Sequence, residues 1–154
     1  MIQVSSESVE LLINDEYGNF VIQAILEHLI SVSKRKSKIM DMRVSCFYEF
    51  IRLNLNKLCK QQYSSRVVEK AVETMPKEQF EKVCVVFMKT SKKSKLFREI
   101  MLDSYGNYIA PKILDRAKAF CLQYQFDYFS KVYRESIEAL KKVKHGRQLM
   151  VKMN

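Results

Sequence analysis

The chain has 154 residues, of which 47% are hydrophobic and 29% charged, and its formal net charge is +10 at pH 7. This composition describes one folded domain with a real core and excludes an intrinsically disordered chain. No apolar run reaches the roughly 18 residues of a membrane span, so we expect no membrane partner.

The small number of turn-forming residues and the lack of reactive motifs restrict the possible fold and function. Only three glycines and two prolines are present, which favours an all-α fold over hairpins. The four cysteines lack Cys-x-x-Cys spacing, which argues against a zinc site and fits a reducing compartment. No phosphate-binding glycine loop or hydrolase motif is present, so we expect no enzyme, metal or other cofactor. The N-terminus lacks a signal peptide, which favours a cytoplasmic protein.

The first third of the chain predicts two helices and a basic connector. Ser5 or Ser6 can cap a first helix that runs to about Asn14, and a second helix then runs to about Leu29. The predicted core side of the second helix is apolar, with Val21, Ile22, Ile25 and Leu26. Because the first helix begins almost at Met1, its flank lacks a polar cap, and we expect upstream repeats or a second chain there.

Residues 31–43 are rich in Lys and Arg, and a solvated linker is favoured there over a phosphate contact. The apolar period then predicts helices from about Phe47 to Lys60 and from about Tyr63 to Met75. Pro76 begins the next helix, which runs to about Lys89.

The last part of the chain predicts a polar loop at 90–95, a short helix, and a helix from about Tyr105 to Phe120. A long helix from about Tyr124 to Lys142 and a short one from His145 to Met153 follow. The final helix would close the C-terminal end.

A repeated motif organises these helices. DEYGNFVIQ at 15–23 recurs, altered, as QYSSRVVE at 62–69 and as DSYGNYIAP at 103–111, with a fainter echo, KHGRQLMV, at 144–151. The aligned residues Asn19, Ser65, Asn107 and Arg147 are 46, 42 and 40 residues apart. A period of this length indicates stacked helical repeats that bury their apolar faces only against each other.

Each full copy places three side chains, here called a recognition trio, on one helical face, because residues four apart on a helix are neighbours. The first two trios offer two polar edge-binding groups and one flat plate, which suits an unstacked nucleic-acid base, and the third has Pro at its second edge position. The trios are Asn19, Phe20 and Gln23; Ser65, Arg66 and Glu69; and Asn107, Tyr108 and Pro111.

These motifs resemble the base-recognition helices of the Pumilio, or PUF, family. Their order resembles the last three of the family's eight repeats, and His145-Gly146-Arg147 resembles its C-terminal cap. The resemblance implies a right-handed α-α superhelix, truncated at its N-terminal end, with the trios on its concave face. We expect one domain over 1–154, with repeats at about 5–43, 44–90 and 91–120 and a cap at about 121–154.

The resemblance also implies a function and a partner. Family members bind single-stranded messenger RNA, usually in 3′ untranslated regions, and repress translation or promote decay through effector proteins. Effectors would dock on the convex face, and Arg147 and Gln148 are candidates for additional RNA contacts.

The hydrogen-bonding groups of the trios predict base preferences. The Gln23 amide offers a donor beside an acceptor, which matches the edge of uracil, while ionised Glu69 only accepts and so favours the two adjacent donors of guanine. Phe20, Arg66 and Tyr108 would be the stacking plates. Pro111 has no side-chain hydrogen bond to give, and inside a helix it would cost about 3 kcal/mol. With the family's antiparallel polarity, the trios predict 5′-U-G-U-3′ with a weakly selected first U.

An armadillo- or HEAT-like scaffold that binds protein is the alternative. It would share the helical repeats but would not align three base-binding trios on one continuous surface beside basic residues.

Overall fold

The computed structural model describes residues 6–32, 38–89 and 95–153, and its regular elements there are all helical. In chain order the helices are α1 (Ser6–Ile13), α2 (Gly18–Val32), α3 (Lys38–Leu58), α4 (Ser64–Thr74), α5 (Lys77–Met88), α6 (Leu96–Leu102), a 3-10 turn (Gly106–Tyr108), α7 (Ile109–Ala119), α8 (Gln123–Leu140) and α9 (Gly146–Met153).

The helices form two layers. Helices α2, α4, α7 and α9 lie side by side in that order, a layer we call the inner row. Each is backed by the helix that pairs with it, α1, α3, α6 or α8, and α5 packs among α3, α6 and α8. This repetition of helix pairs confirms the predicted all-α solenoid.

The core lies between the layers and is built from large apolar side chains. Phe80, Phe87, Phe97 and Phe129 are fully buried, and the rings of Phe97 and Phe129 are 4.6 Å apart between centroids. Burying one such side chain stabilises a fold by roughly 1.5–3 kcal/mol. Short helices such as α6 therefore depend on tertiary packing rather than on their own propensity.

The basic connector is shorter than the sequence predicts. Helix α2 continues to Val32, and α3 begins at Lys38, nine residues before the expected start at Phe47. The segment 38–43 contains Lys, Ile, Met and Arg and has neither Gly nor Pro, so it supports a helix. The remaining connector, 33–37, and most of the predicted polar loop, 90–94, lie outside the described residues.

Two of the four core residues predicted for α2 are not buried. Leu26 is buried and Ile22 partly so, but Val21 and Ile25 are half-exposed. Each of α4 and α7 packs on a preceding helix of the row, and the equivalent residues of these two helices are fully buried: Val67, Ala71, Ile109 and Ile113. Helix α2 is the first of that row in the described chain, so Val21 and Ile25 lack this cover.

The glycine of the motif marks a close approach between the two layers. A Cβ added to Gly18 would lie 2.4 Å from the carbonyl oxygen of Leu12, and one added to Gly146 would lie 1.7 Å from that of Leu140. The second repeat has Ser64 at this place, and its hydroxyl donates to the Leu58 carbonyl at 2.9 Å. In all three, the contact joins a residue to the one six positions earlier, so the motif closes the turn between paired helices.

Pro111 changes the third recognition segment without straining it. The predicted continuous helix is split, because residues 106–108 form a 3-10 turn in which the Ile109 N–H bonds the Gly106 carbonyl. Pro111 is then the third residue of α7, in the first helical turn, where no intrahelical N–H is required. The expected cost of an interior proline does not arise.

Candidate nucleic-acid interface

The first residues of the first and third motifs cap the N-terminal ends of the helical segments that carry their trios. The Asp15 carboxylate accepts the N–H groups of Tyr17 and Gly18 at 2.9 and 2.7 Å, and these bonds hold its pKa below the ordinary value. Asp103 accepts the N–H groups of Tyr105 and Gly106 in the same way, both at 2.8 Å. The near-identity of the first and third motifs therefore has a structural cause.

The asparagines of the motif complete this cap. Asn19 Nδ2 donates to the carbonyls of Asp15 and Glu16, both at 2.9 Å. Asn107 Nδ2 donates to those of Asp103 and Ser104 at 3.0 and 2.9 Å. Both amide hydrogens of each side chain are thus used inside their own turn.

The first member of each trio, which the sequence assigns to a base contact, is almost fully buried. Asn19, Ser65 and Asn107 are only 2%, 2% and 5% exposed. Ser65 Oγ points back to the Gln62 carbonyl at 3.3 Å, as the asparagines point to theirs. A short polar side chain at the start of a helix bonds the nearest backbone groups before it can reach outwards. Contact of these three residues with RNA stays a prediction.

Asn19 instead positions the second polar member of its trio. Gln23 Nε2 donates to Asn19 Oδ1 at 3.0 Å, one helical turn away. This bond fixes the orientation of the Gln23 amide and leaves one N–H beside the Oε1 acceptor. That pair of groups is what the edge of uracil requires. The i, i+4 spacing was visible in the sequence, but the direction of the bond was not.

Glu69 lies at the same position of α4 as Gln23 does on α2, and its side chain is 21% exposed. Arg66 Nη1 is 3.5 Å from Glu69 Oε2. Burial raises the pKa of the Glu69 carboxyl above its ordinary value, although the nearby charges of Arg66 and Lys112 act against the rise. The carboxylate is thus a partly desolvated acceptor, a setting in which its hydrogen bonds to a donor edge are strong.

The stacking plates occupy equivalent positions of the three motifs, but they are not equally free. Phe20 is 67% exposed. The Arg66 guanidinium carbon lies 4.2 Å from the centroid of the Tyr108 ring, so two of the predicted plates are stacked on each other. Lys152 Nζ, from α9, lies 5.0 Å from the same centroid. Sequence reasoning missed Lys152, because it stands outside the repeated motif.

One member of the third trio, Pro111, lines a cavity. Pro111 is buried at the edge of a cavity of about 400 Å³ between α7, α8 and α9, which the basic side chains of Lys118, Arg134 and Lys152 also line. Arg147 and Gln148 are exposed at the start of α9. Their contact with RNA stays a prediction.

We expect Pro111→Gln to sharpen the preference for uracil opposite the third repeat. The new amide would follow Asn107 by four residues, as Gln23 follows Asn19, so that a bond to Asn107 Oδ1 would orient a donor–acceptor pair. Competition between short RNAs that differ only in their first base measures the effect. The control is Pro76→Gln, at the exposed start of α5. Strong uracil preference before the change would contradict this account of Pro111.

Within residues 6–32, 38–89 and 95–153, no helix is long and apolar enough to cross a membrane. No group of three or more His, Cys, Asp or Glu side chains in the described ranges is arranged to hold a metal ion.

Comparison with protein families identifies the class to which this helical-repeat solenoid belongs. The model of the Pumilio-family RNA binding repeat matches residues 8–36, 54–86 and 97–119, which is more than half of the chain. The chain therefore belongs to the Pumilio family. The comparison with curated protein sequences gives no match.

Solved structures of PUF domains share the fold. PUF-8 in complex with PBE-RNA superposes with a TM-score of 0.76 at 22% identity, covering 96% of this chain and 39% of that one. The Puf4 RNA-binding domain, bound to the HO endonuclease 3′ UTR recognition sequence, gives 0.73 at 19% identity, over 96% and 43%. The RNA-binding domain of yeast Puf5p, bound to SMX2 RNA, gives 0.62 at 18%, over 96% and 39%. The chain thus spans less than half of each of these structures.

Proposed function

We propose that the chain binds single-stranded RNA along its inner row and selects bases with Gln23 and Glu69. Gln23 selects uracil through its oriented amide, and Glu69 selects guanine through its carboxylate. Phe20, Arg66 and Tyr108 stack on the bases, and Asn19, Ser65 and Asn107 support the turns from which the other two members of each trio project.

The observation that carries this proposal is the equivalence of Gln23, Glu69 and Pro111 on adjacent helices of one row. Gln23 lies on α2, Glu69 on α4 and Pro111 on α7, and these helices pack in that order. A spaced series of donors and acceptors beside stacking groups matches successive bases of a strand. The solved PUF domains named above are themselves bound to RNA.

Further parts of the proposal come from membership of the family. With C-terminal repeats on the 5′ end, the row selects 5′-U-G-U-3′, weakly at the first base. The target is messenger RNA, within 3′ untranslated regions, and the outcome is translational repression or decay in the cytoplasm. Effector proteins dock on the convex face, away from the inner row.

Three stacked bases set the scale of the affinity. Stacking contributes roughly 1–3 kcal/mol per base, which gives a gross ~3–9 kcal/mol before the RNA is ordered. A dissociation constant of 1 mM corresponds to about −4.1 kcal/mol. The isolated chain therefore needs a titration at high protein concentration, such as heteronuclear NMR, rather than a filter assay.

We expect titration with a UGU-containing single strand to shift the amide signals of α2, α4 and α7. Affinity should fall with salt, with a log–log slope of about −0.7 for each phosphate neutralised, because the chain carries a net charge of +10. Phe20→Ala should weaken binding about fivefold or more, since one stacking plate is lost.

The matched control is Tyr124→Ala, which removes an aromatic side chain of similar exposure from α8, outside the inner row. This substitution should leave RNA binding unchanged. Equal binding of duplex and single strand, or binding that does not respond to salt, would contradict the proposal and favour the protein-binding scaffold.

A further inference from the structure

A chain of ion pairs crosses three helices of the inner row beside the base-selecting residues. Glu27 of α2 pairs with Lys70 of α4 at 2.7 Å, and Lys70 also pairs with Glu73 at 3.2 Å. Glu73 in turn pairs with Lys112 of α7. We call these four residues the charge ladder. Although burial favours the neutral form of the Glu73 carboxyl, its bonds to Lys112 and Lys70 hold its pKa below the ordinary value.

The charge ladder meets the guanine-selecting site at Glu73. Glu73 stands one helical turn after Glu69 on α4, so the two carboxylates share a face. The charged groups that act on Glu69 are Arg66 and Glu73 of its own helix and Lys112 of α7. On the other side, α2 contributes Glu27, whose carboxylate is bonded to Lys70. Lys112 is therefore the cation that a neighbouring repeat supplies to Glu69.

We propose that Lys112, tied to Glu73, is a positioning residue for guanine selection by Glu69 in the neighbouring repeat. This inference rests on the proposed function. Lys112 keeps the Glu69 carboxylate charged and offsets the repulsion from Glu73, so that Glu69 presents two acceptors to the donors of guanine. Base selection in the second repeat thus depends on a side chain of the third.

The inference predicts that the preference for guanine depends on pH. Burial works against the charged form of Glu69, and Arg66 and Lys112 work for it. A protonated carboxyl presents one donor and one acceptor, as a glutamine amide does, and so no longer favours guanine over uracil. Guanine preference should therefore be present well above the raised pKa of Glu69 and be lost as the pH falls through it. Without Lys112, that loss should begin at higher pH.

Lys70 provides a matched control. It also pairs with Glu73, but within α4, three residues apart, and it is bonded to Glu27 of α2 as well. Lys70→Gln and Lys112→Gln each remove one positive charge that is paired with the Glu73 carboxylate. Lys112 approaches this face of α4 from α7, and its charge favours the ionised form of Glu69, whereas Lys70 is held between Glu27 and Glu73.

The experiment is competition between two short RNAs that carry guanine or uracil at the middle base, from about pH 7.5 to about pH 5. The proteins are the wild type, Lys112→Gln, Lys112→Arg and Lys70→Gln. We expect Lys112→Gln to lose guanine preference by about fivefold or more at a pH where the wild type keeps it. Lys112→Arg should restore the wild-type profile, and Lys70→Gln should retain it. Carbon-13 titration of the Glu69 carboxyl in the free proteins should show a higher pKa in Lys112→Gln.

Three results would overturn the inference. One is a wild-type pH profile in Lys112→Gln with an unchanged Glu69 titration. Another is an equal loss in Lys70→Gln and Lys112→Gln, which would mean that the charge ladder only stabilises the helices. The third is a wild-type chain without guanine preference at any pH, which alone would also overturn the proposed role of Glu69.

Discussion

Replacing Ser65 with Asn and Glu69 with Gln is expected to switch the preferred middle base from guanine to uracil. The double substitution copies the Asn19–Gln23 pair, in which the buried asparagine accepts from the glutamine amide at 3.0 Å and fixes its orientation. Both helices begin their first turn in the same place relative to the trio, so the copied pair should form the same bond. A wrong base costs on the order of 1–3 kcal/mol at protein–DNA sites, so by analogy the switch should be about tenfold or more.

The single substitutions separate the two roles. Glu69→Gln alone should weaken guanine binding but select uracil less sharply, because Ser65 Oγ is bonded to the Gln62 carbonyl and is too short to hold the amide. Glu69→Ala should lose the preference and keep part of the affinity, because Arg66 still stacks. Competition between RNAs that differ only in the middle base measures each case. Persistent guanine preference in the double variant would mean that Glu69 does not face the base.

Gly146→Ala should be the most destabilising glycine substitution in the chain. A Cβ there would lie 1.7 Å from the Leu140 carbonyl oxygen and 2.6 Å from its carbon, so α9 must move away from α8. That movement would uncover Leu149, which is buried. We expect a loss of about 3–5 kcal/mol in the free energy of unfolding. At roughly 2–4 °C for each kcal/mol, the Tm should fall by about 6–20 °C.

Substitution of the other two motif glycines should destabilise the fold less. A Cβ at Gly18 would approach the Leu12 carbonyl to 2.4 Å, whereas one at Gly106 would have its nearest neighbours at 3.0–3.1 Å. The destabilisation measured by urea or thermal unfolding should therefore decrease from Gly146→Ala to Gly18→Ala to Gly106→Ala. All three glycines lack a positive φ, so the effect comes from close packing alone. The reverse order would contradict it.

The sequence predicts the fold well, because its period and its apolar stripes carry the information. Spacings of 46, 42 and 40 residues between copies of one motif leave few architectures open. The early start of α3 at Lys38 was missed because a cluster of basic residues was interpreted as a linker. Charge marks a solvated surface, and a helix can provide one as well as a loop can.

The site was predicted less completely, for a different reason. Sequence spacing placed Gln23 and Glu69 at equivalent positions, and the structure agrees. Spacing does not say which way a side chain bonds, so Asn19 and Asn107 were assigned to bases although their amides bond their own turns. The contacts of Arg66 and Lys152 with Tyr108 join residues 42 and 44 positions apart and depend on packing that no local pattern encodes.

The contact between Arg66 and Tyr108 implies an order of events when a strand enters. A base inserted between them needs a gap of about 7 Å, twice the ~3.4 Å rise of stacked bases, whereas the guanidinium carbon is now 4.2 Å from the ring centroid. Opening it gives up a cation–π contact of about 0.5–2 kcal/mol before any base has stacked. Phe20 presents an exposed ring, so in the proposed polarity the 3′ base can stack first and offset that loss. A single RNA strand should therefore bind the inner row progressively, beginning with its 3′ base.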